Sequence, residues 1–239
     1  MILFAADRHY DTHPGKALYE EIVGSYDVDF YEEDWSCFEQ ADLKGKYDLI
    51  MLNMISGCCD VPSPTERGEN NVRAYLEAGG NFLLLHGASA AFWNGDWWRP
   101  VVGYRWVRGN DPDGFPSSTH PRRPYTLKVS KCRHPLCRKL QEVELPEDEL
   151  YINMEQTCPA MTLMETTTDE GTFPQCYEAS TPWGGIIIGY IPGHGAHVVQ
   201  LDEMVANCRT LVDYLLEVES SRTSSRRSTN VDSLADRRT

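Results

Sequence analysis

Apolar positions along the chain fall into two rhythms. Continuous runs in "ILFAAD" (2–7), "YDLIMLN" (47–53) and "NFLLLH" (81–86) read as strands covered on both faces, and "DVDFYE" (27–32) as a shorter strand of the same series. Between them, apolar residues recur at helical spacing. "GKALYEEIVGSY" places Leu18, Ile22 and Val23 on one face. "SPTERGENNVRAYLEAGG" opens on Ser63-Pro64 and closes on Gly79-Gly80, the start and stop signals of a helix. Strands alternating with helices predict a three-layer α/β domain on a mostly parallel, doubly wound sheet, with 2–6, 47–53 and 81–86 near its centre.

The rhythm breaks over 93–124, which carries Trp93, Trp97, Trp98, Trp106 and "HPRRP". Long loops at strand ends line pockets or form lids. Strand patterns resume in "YTLKVS", "MTLMETT", "QCYEAS" and "GGIIIGYIP", and "VANCRTLVDYLLEV" (205–218) is an amphipathic helix. Beyond it large apolar side chains almost vanish, and residues 220–239 hold five Arg against two Asp. Such a composition buries too little surface to repay ordering. The expected organisation is therefore a domain over 1–218 and a disordered Ser/Arg-rich tail over 219–239.

Charge narrows the partners. A formal net charge of −14 over 239 residues argues against nucleic acid, whose phosphates need clustered Lys and Arg. No stretch approaches the roughly 20 apolar residues that cross a bilayer, so no membrane partner is expected. The first residues lack the charged n-region of a signal peptide, and a cytoplasmic location follows as an expectation. Neutral small molecules remain as ligands, and self-association stays open. The eight cysteines (37, 58, 59, 132, 137, 158, 176 and 208) are too dispersed for a disulfide scaffold and are expected as reduced thiols. Cys132, His134 and Cys137 could begin a metal site, but no second ligand pair at zinc-finger spacing follows.

Sites in open α/β sheets lie beyond the carboxyl ends of the strands. The first strand delivers Asp7, His9 and His13 there, the fourth His86, "PEDELYINME" Asp148, Glu149, Tyr151 and Glu155, and "IPGHGAH" His194 and His197. A neutral imidazole at such a place can act as general base or metal ligand, or be a core histidine satisfied by backbone. Glu149 and Glu155 can orient a histidine, donate a proton or join a metal, and are equally readable as surface carboxylates. Trp93, Trp97 and Trp98 offer an apolar platform for a sugar ring or simple lid packing. Ser89 in "GASAA" approaches the nucleophile elbow G-x-S-x-G but lacks its final Gly. No cysteine stands at this junction, which argues against thiolate hydrolysis of glutamine.

"GGNFLLLHGASAAF…W", "HP", "HPLCRKL", "DELY" and "GGIIIGYIPGH" follow one another in the order and at about the spacing of the ThuA-like (trehalose utilisation) proteins, and the chain resembles that family over residues 1–218. The resemblance implies a class I glutamine amidotransferase-like, flavodoxin-type fold with His86 where the amidotransferases hold their cysteine. It also implies work on disaccharides such as trehalose or on their 3-keto forms. His86, Glu149, Tyr151 and His194 match the motif positions, with His13 and His120 aligned beside them. The 93–124 region is more compact than usual, and Gly-Gly stands where the family often has Gly-Arg.

The leading expectation is an isomerase, lyase or hydrolase of a disaccharide or keto-sugar glycoside. His86 and His194 would move protons with Glu149 assisting, while Asp7, His13, Trp93, His120, Tyr151 and Glu155 contact the sugar. A proton beside a carbonyl needs a base with pKa near 7, which imidazole supplies. No cofactor is demanded, though a divalent metal such as Zn²⁺ on these histidines would polarise the same carbonyl. The competing expectation is a non-catalytic sugar-binding or regulatory module, an amidotransferase-like shell without its nucleophile. A serine hydrolase using Ser89 is a third.

Overall fold

The computed structural model describes residues 1–55, 63–109, 111 and 113–235, with side chains as far as 224. Its strands are β1 (Ile2–Ala6), β2 (Val28–Glu32), β3 (Leu49–Asn53), β4 (Asn81–Leu85), β5 (Tyr104–Arg105), β6 (Arg122–Val129), β7 (Val143–Glu149), β8 (Glu155–Gln156), β9 (Ala160–Thr168), β10 (Gly171–Ser180) and β11 (Ile186–Tyr190). Its helices are α1 (Pro14–Ile22), α2 (Leu43–Lys46), α3 (Glu66–Glu77), α4 (Ala196–Val199) and α5 (Asp202–Ala235).

Nine strands form one sheet in the order β2-β1-β3-β4-β11-β10-β9-β6-β7. The first five are parallel to their neighbours, and the remaining pairings are antiparallel. Counting only parallel strands, the order is the flavodoxin-like 2-1-3-4-5. β1, β3 and β4 are buried along their whole length because both faces are covered. Ile2 and Phe4 of β1 pack with Leu18 and Ile22 of α1 and with Leu211 and Leu215 of α5. Leu3 and Ala5 point the other way, toward Leu43 of α2, Val72 and Leu76 of α3, and Phe38. The period-2 alternation of a strand thus builds two cores, and the three layers follow.

β7 is the element that sequence patterning conceals. Its segment "VELPEDE" carries Pro146, which removes a ladder donor and is tolerated because β7 is an edge strand. β7 nevertheless pairs with β6 and sets Arg122 opposite Glu149.

One expectation changes. Cys132 and Cys137 are joined in a disulfide rather than free, because the short 3-10 turn at Pro135–Arg138 brings their Cα atoms to 6.3 Å. Cys37, Cys158, Cys176 and Cys208 are free, and Cys58 and Cys59 lie outside the described residues. At the C-terminus α5 runs on past Val218 to Ala235, through the first part of the segment read as a tail. Hydroxyls that could compete with a helix instead back-bond to carbonyls four residues earlier. Ser221 donates to Glu217 at 2.9 Å, and Thr223 and Ser224 to Glu219 and Ser220 at 3.0 Å. Glu219 pairs with Lys44 at 2.6 Å and Arg222 donates to the carbonyl of Gly79 at 3.1 Å, so this turn of helix is tied to the domain. No helix among the described residues is long and apolar enough to cross a membrane.

Candidate active site

The parallel strands β1, β4 and β11 each hand a histidine to one rim of the sheet, and the antiparallel pair β6–β7 adds the groups opposite. His9 follows β1 on a turn in which His9, Tyr10, Asp11 and His13 all have φ between 44° and 61°. Such left-handed backbone is costly for residues with a Cβ and persists only when its surroundings hold it. Asp7 is the holder here. Fully buried, its Oδ1 accepts from the amide of His9 at 2.9 Å and its Oδ2 from the amide of Ile55 at 2.6 Å.

The turn after β11 is held the same way. Buried Asp148 accepts from the amides of Gly193 (2.9 Å) and His194 (3.0 Å), and from Tyr125 Oη at 3.2 Å. His86 begins the 3-10 turn that leaves β4 and has φ of 50°, a strained strand-to-helix elbow. Two buried carboxylates and one elbow therefore fix three imidazoles.

The rings meet edge to face, with centroids 4.6 Å apart for His9–His86, 4.8 Å for His9–His194 and 5.4 Å for His86–His194. His86 Nδ1 lies 3.0 Å from the carbonyl of Ile191, which can only accept, so Nδ1 carries a proton. In the neutral ring Nε2 then presents a lone pair, which accepts from Tyr151 Oη at 3.2 Å. His9 Nε2 is 3.0 Å from His194 Nδ1.

Glu149, at the end of β7, joins the group. Its Oε2 is 3.5 Å from His86 Nε2, and its Oε1 is 3.3 Å from both His194 Nδ1 and His120 Nδ1. Arg122 bonds the same Oε1 at 3.1 Å and donates to His194 Nε2 at 2.5 Å.

Electrostatics follow from this packing. Burial by itself would raise the Glu149 pKa, but the hydrogen bonds that His194 and His86 donate once protonated, and the attraction of those charges, outweigh it, holding the carboxylate well below its ordinary value of 4.5. For His9, loss of hydration is the largest effect and repulsion by His86 adds to it. Against the hydrogen bond to Asp7, these lower its pKa to about 4, so it is neutral at pH 7.

Above the cluster opens a cavity of about 370 Å³, whose wall includes Tyr10, Trp106, His120, Arg122, Tyr151 and His194. His9 and Glu149 reach it, whereas His86 lies just behind, its side chain 1% exposed. The Trp106 ring packs against Tyr151 and His120 with centroids 4.6 Å and 5.3 Å away.

Of the residues singled out from sequence, His86, His194, Glu149, Tyr151 and His120 come together here. Four others lie outside this group and do not line the cavity. Asp7 works through backbone amides beneath it. His13 caps α1 and pairs with Glu32 at 3.0 Å. Glu155 is buried against Arg99 (2.9 Å) and Arg105 (2.7 Å). Trp93 donates to the carbonyl of Trp106 at 2.9 Å, supporting that ring from behind. Trp98 belongs to the core.

His9 was visible at the end of the first strand but not selected, and Arg122 and Trp106 were passed over. A signal for Arg122 existed in "HPRRP", since Arg beside a candidate carboxylate is a common pairing, but the partner is 27 residues away.

Ser89 Oγ is buried with no hydrogen-bond partner, so among the described residues no base activates it. Removing a hydroxyl that makes no bond costs little. Ser89→Ala is accordingly expected to shift unfolding stability by less than about 1 kcal/mol, with sign toward stabilisation. A denaturant midpoint lowered by more than that would reveal an unseen partner.

The comparisons with known proteins agree with this fold. The family model described as ThuA, trehalose utilisation, matches residues 2–211. Among solved structures, a ThuA-like protein from Parabacteroides merdae superposes with a TM-score of 0.70 at 18% identity, covering 87% of each chain. Another from Bacteroides uniformis gives 0.64 at 15% identity over 90% of each. PurLQS from Thermotoga maritima gives 0.56 at 10% identity, with 90% of this chain and 98% of that one covered. No curated protein matches. The profile match spans the whole sheet, every histidine of the cluster and Glu149, and the chain belongs to the ThuA family.

Proposed function

We propose that this protein is a carbohydrate-metabolism enzyme acting on a disaccharide or keto-sugar glycoside, with a divalent metal held by His9, His86 and His194 and with Glu149 beside them. One observation carries the reading: three imidazoles and a carboxylate converge on the floor of an aromatic-walled cavity.

The donor set fits a metal. The three histidines offer ligand atoms within 4.8 Å of one another. Four donors at about 2.1 Å around a tetrahedral Zn²⁺ lie roughly 3.4 Å apart. The separations His9 Nε2–His194 Nδ1 (3.0 Å), His194 Nδ1–Glu149 Oε1 (3.3 Å) and His86 Nε2–Glu149 Oε2 (3.5 Å) bracket that value. His86 is already in the right tautomer, its Nδ1 proton on a backbone carbonyl and its Nε2 turned inward. His194 requires one change, because Arg122 can only donate and now occupies the lone pair of Nε2. Holding a metal through Nδ1 would require the ring proton on Nε2 and Arg122 turned away, which its position at the exposed mouth allows.

When bound, such a metal polarises a carbonyl or hydroxyl of the sugar. The chain supplies the rest. Tyr10 and Trp106 give the apolar faces against which a sugar ring stacks. With three imidazoles engaged, proton transfer falls to His120 and Tyr151, which also line the cavity. His120, half exposed, takes a proton from the carbon beside a ketone and exchanges it with water. Tyr151 Oη, beside His120, returns one to the sugar and regains its own from water.

The test is a screen of disaccharides and their 3-keto derivatives with the purified chain, with Zn²⁺ or Mn²⁺ added and again after chelation. Turnover that disappears with chelator and returns with metal is the expected result. Sugar binding with no turnover under any metal would establish the binding-module reading instead.

A further inference from the structure

The motif "KCRHPLCRK" (131–139) has no part in the site described above. It lies in the connection between β6 and β7, at the opposite end of that hairpin from Arg122 and Glu149. Its disulfide joins cysteines five residues apart. Both are only partly buried, whereas Cys37, Cys176 and Cys208 are enclosed in the core. A thiol in solution can therefore reach this bridge while the domain stays folded.

The surroundings favour such an attack. Residues 128–139 carry five Lys or Arg and no Asp or Glu, in a chain whose net charge is −14. Lys131, Arg133, Arg138 and Lys139 are exposed, and among the described residues none of their side chains has an ionic partner. Cations beside a sulfur stabilise the thiolate that leaves it, and they draw an anionic reagent to the same place.

Two sets of contacts hold the loop. At its ends, the amide of Ser130 donates to the carbonyl of Leu163 at 2.9 Å, and Gln141 exchanges bonds of 2.7 and 2.8 Å with Asn207 of α5. Between these clamps, His134 accepts from the amide of Leu136 at 3.2 Å through Nδ1. Its Nε2 faces Glu178 Oε2 and Tyr214 Oη, 3.3 Å from each. Neither clamp uses the bridge, so the strands stay tied when it opens. The Cys137 sulfur also lies 3.8 Å from the carbonyl oxygen of Leu163, an acceptor already in place for a thiol.

We propose that Cys132 and Cys137 form a reversible redox site, opened by anionic thiols of the glutathione class, and that opening frees the loop between Ser130 and Gln141. A thiolate attacks the Cys132 sulfur, the bond to Cys137 breaks, and Cys137 leaves as a thiolate that takes a proton from water. A second thiolate attacks the mixed disulfide at its small-molecule sulfur and releases Cys132, which is protonated in turn. Two external thiols are oxidised to their disulfide, and the bridge gains two electrons and two protons.

The test equilibrates the full chain with mixtures of reduced and oxidised glutathione, alkylates the thiols and reads labelling at Cys132 and Cys137 by mass spectrometry. Both should pass from blocked to labelled across the series without denaturant. Reduction rates with 2-mercaptoethanesulfonate, 2-mercaptoethanol and cysteamine, each scaled to the same reagent's rate on 2-hydroxyethyl disulfide, should fall in that order. The first should exceed the last about tenfold at low salt and approach it at about 1 M. Arg133→Gln combined with Arg138→Gln should narrow that gap. Reduction should lower the melting temperature by about 4–8 °C, and the double variant Cys132→Ser, Cys137→Ser should melt with the reduced form. A bridge that stays closed in excess reduced glutathione until denaturant is added would overturn the proposal, as would cysteines that remain thiols in excess glutathione disulfide. Equal scaled rates for the three reagents would overturn the preference for an anionic thiol.

Discussion

His194→Ala and His86→Asn are each expected to lower Zn²⁺ affinity by at least about 100-fold, and turnover of whatever sugar the screen identifies by about 10²–10⁴-fold. Each substitution removes one imidazole from a set of three whose ligand atoms lie within 4.8 Å of one another. Neither should unfold the domain. The backbone at position 194 is held by Asp148 through an amide that alanine retains. At position 86 φ is 50°, which asparagine tolerates better than alanine does, so the loss can be read as chemistry rather than strain. Metal content after dialysis, measured by mass spectrometry alongside circular dichroism, gives the answer without a substrate. Full metal content in both variants would dismiss the cluster as a metal centre.

Acid should destabilise the metal-free protein in two stages. His9 titrates near 4 when folded and near 6.5 when unfolded. Between those values the unfolded chain binds the extra proton, so stability falls as pH drops through the window. The gap corresponds to about 3 kcal/mol, lost between roughly pH 6.5 and 4. Glu149 acts below that range. Its folded pKa is depressed, so its contribution is present above the unfolded value of 4.5 and disappears as pH falls further. Urea midpoints of chelator-treated protein at pH 7, 5.5 and 4.5 measure the first stage, and His9→Asn should flatten most of it. An unchanged slope in that variant would place the acid sensitivity elsewhere.

The parallel half of the fold was legible because a strand buried on both faces must be continuously apolar, and β1, β3 and β4 are. Histidines at the ends of such strands were legible for a related reason, since topology alone sends those ends to one rim. The antiparallel half hid its logic. Pro146 disguised β7, and without β7 the register that sets Arg122 opposite Glu149 could not be drawn. Nor could sequence separate His9 from His13. The two differ only in how the left-handed turn aims them, one inward over Asp7 and the other outward to Glu32. At the C-terminus, composition says nothing of Arg222 reaching back to the carbonyl of Gly79.

The place of β11 in the sheet also has a consequence for synthesis. β4 hydrogen-bonds on one side to β3, made shortly before it, and on the other to β11, where Ile187 sits opposite Phe82. At about 5–20 residues per second, a ribosome delivers that partner roughly 5–20 s after β4 has emerged. Throughout that interval "NFLLL" offers an unpaired apolar edge at what will become the middle of the sheet. The nascent half-domain is thus a natural client for chaperones. Slowing translation between residues 90 and 185 should lower the soluble yield more than the same delay placed after residue 200.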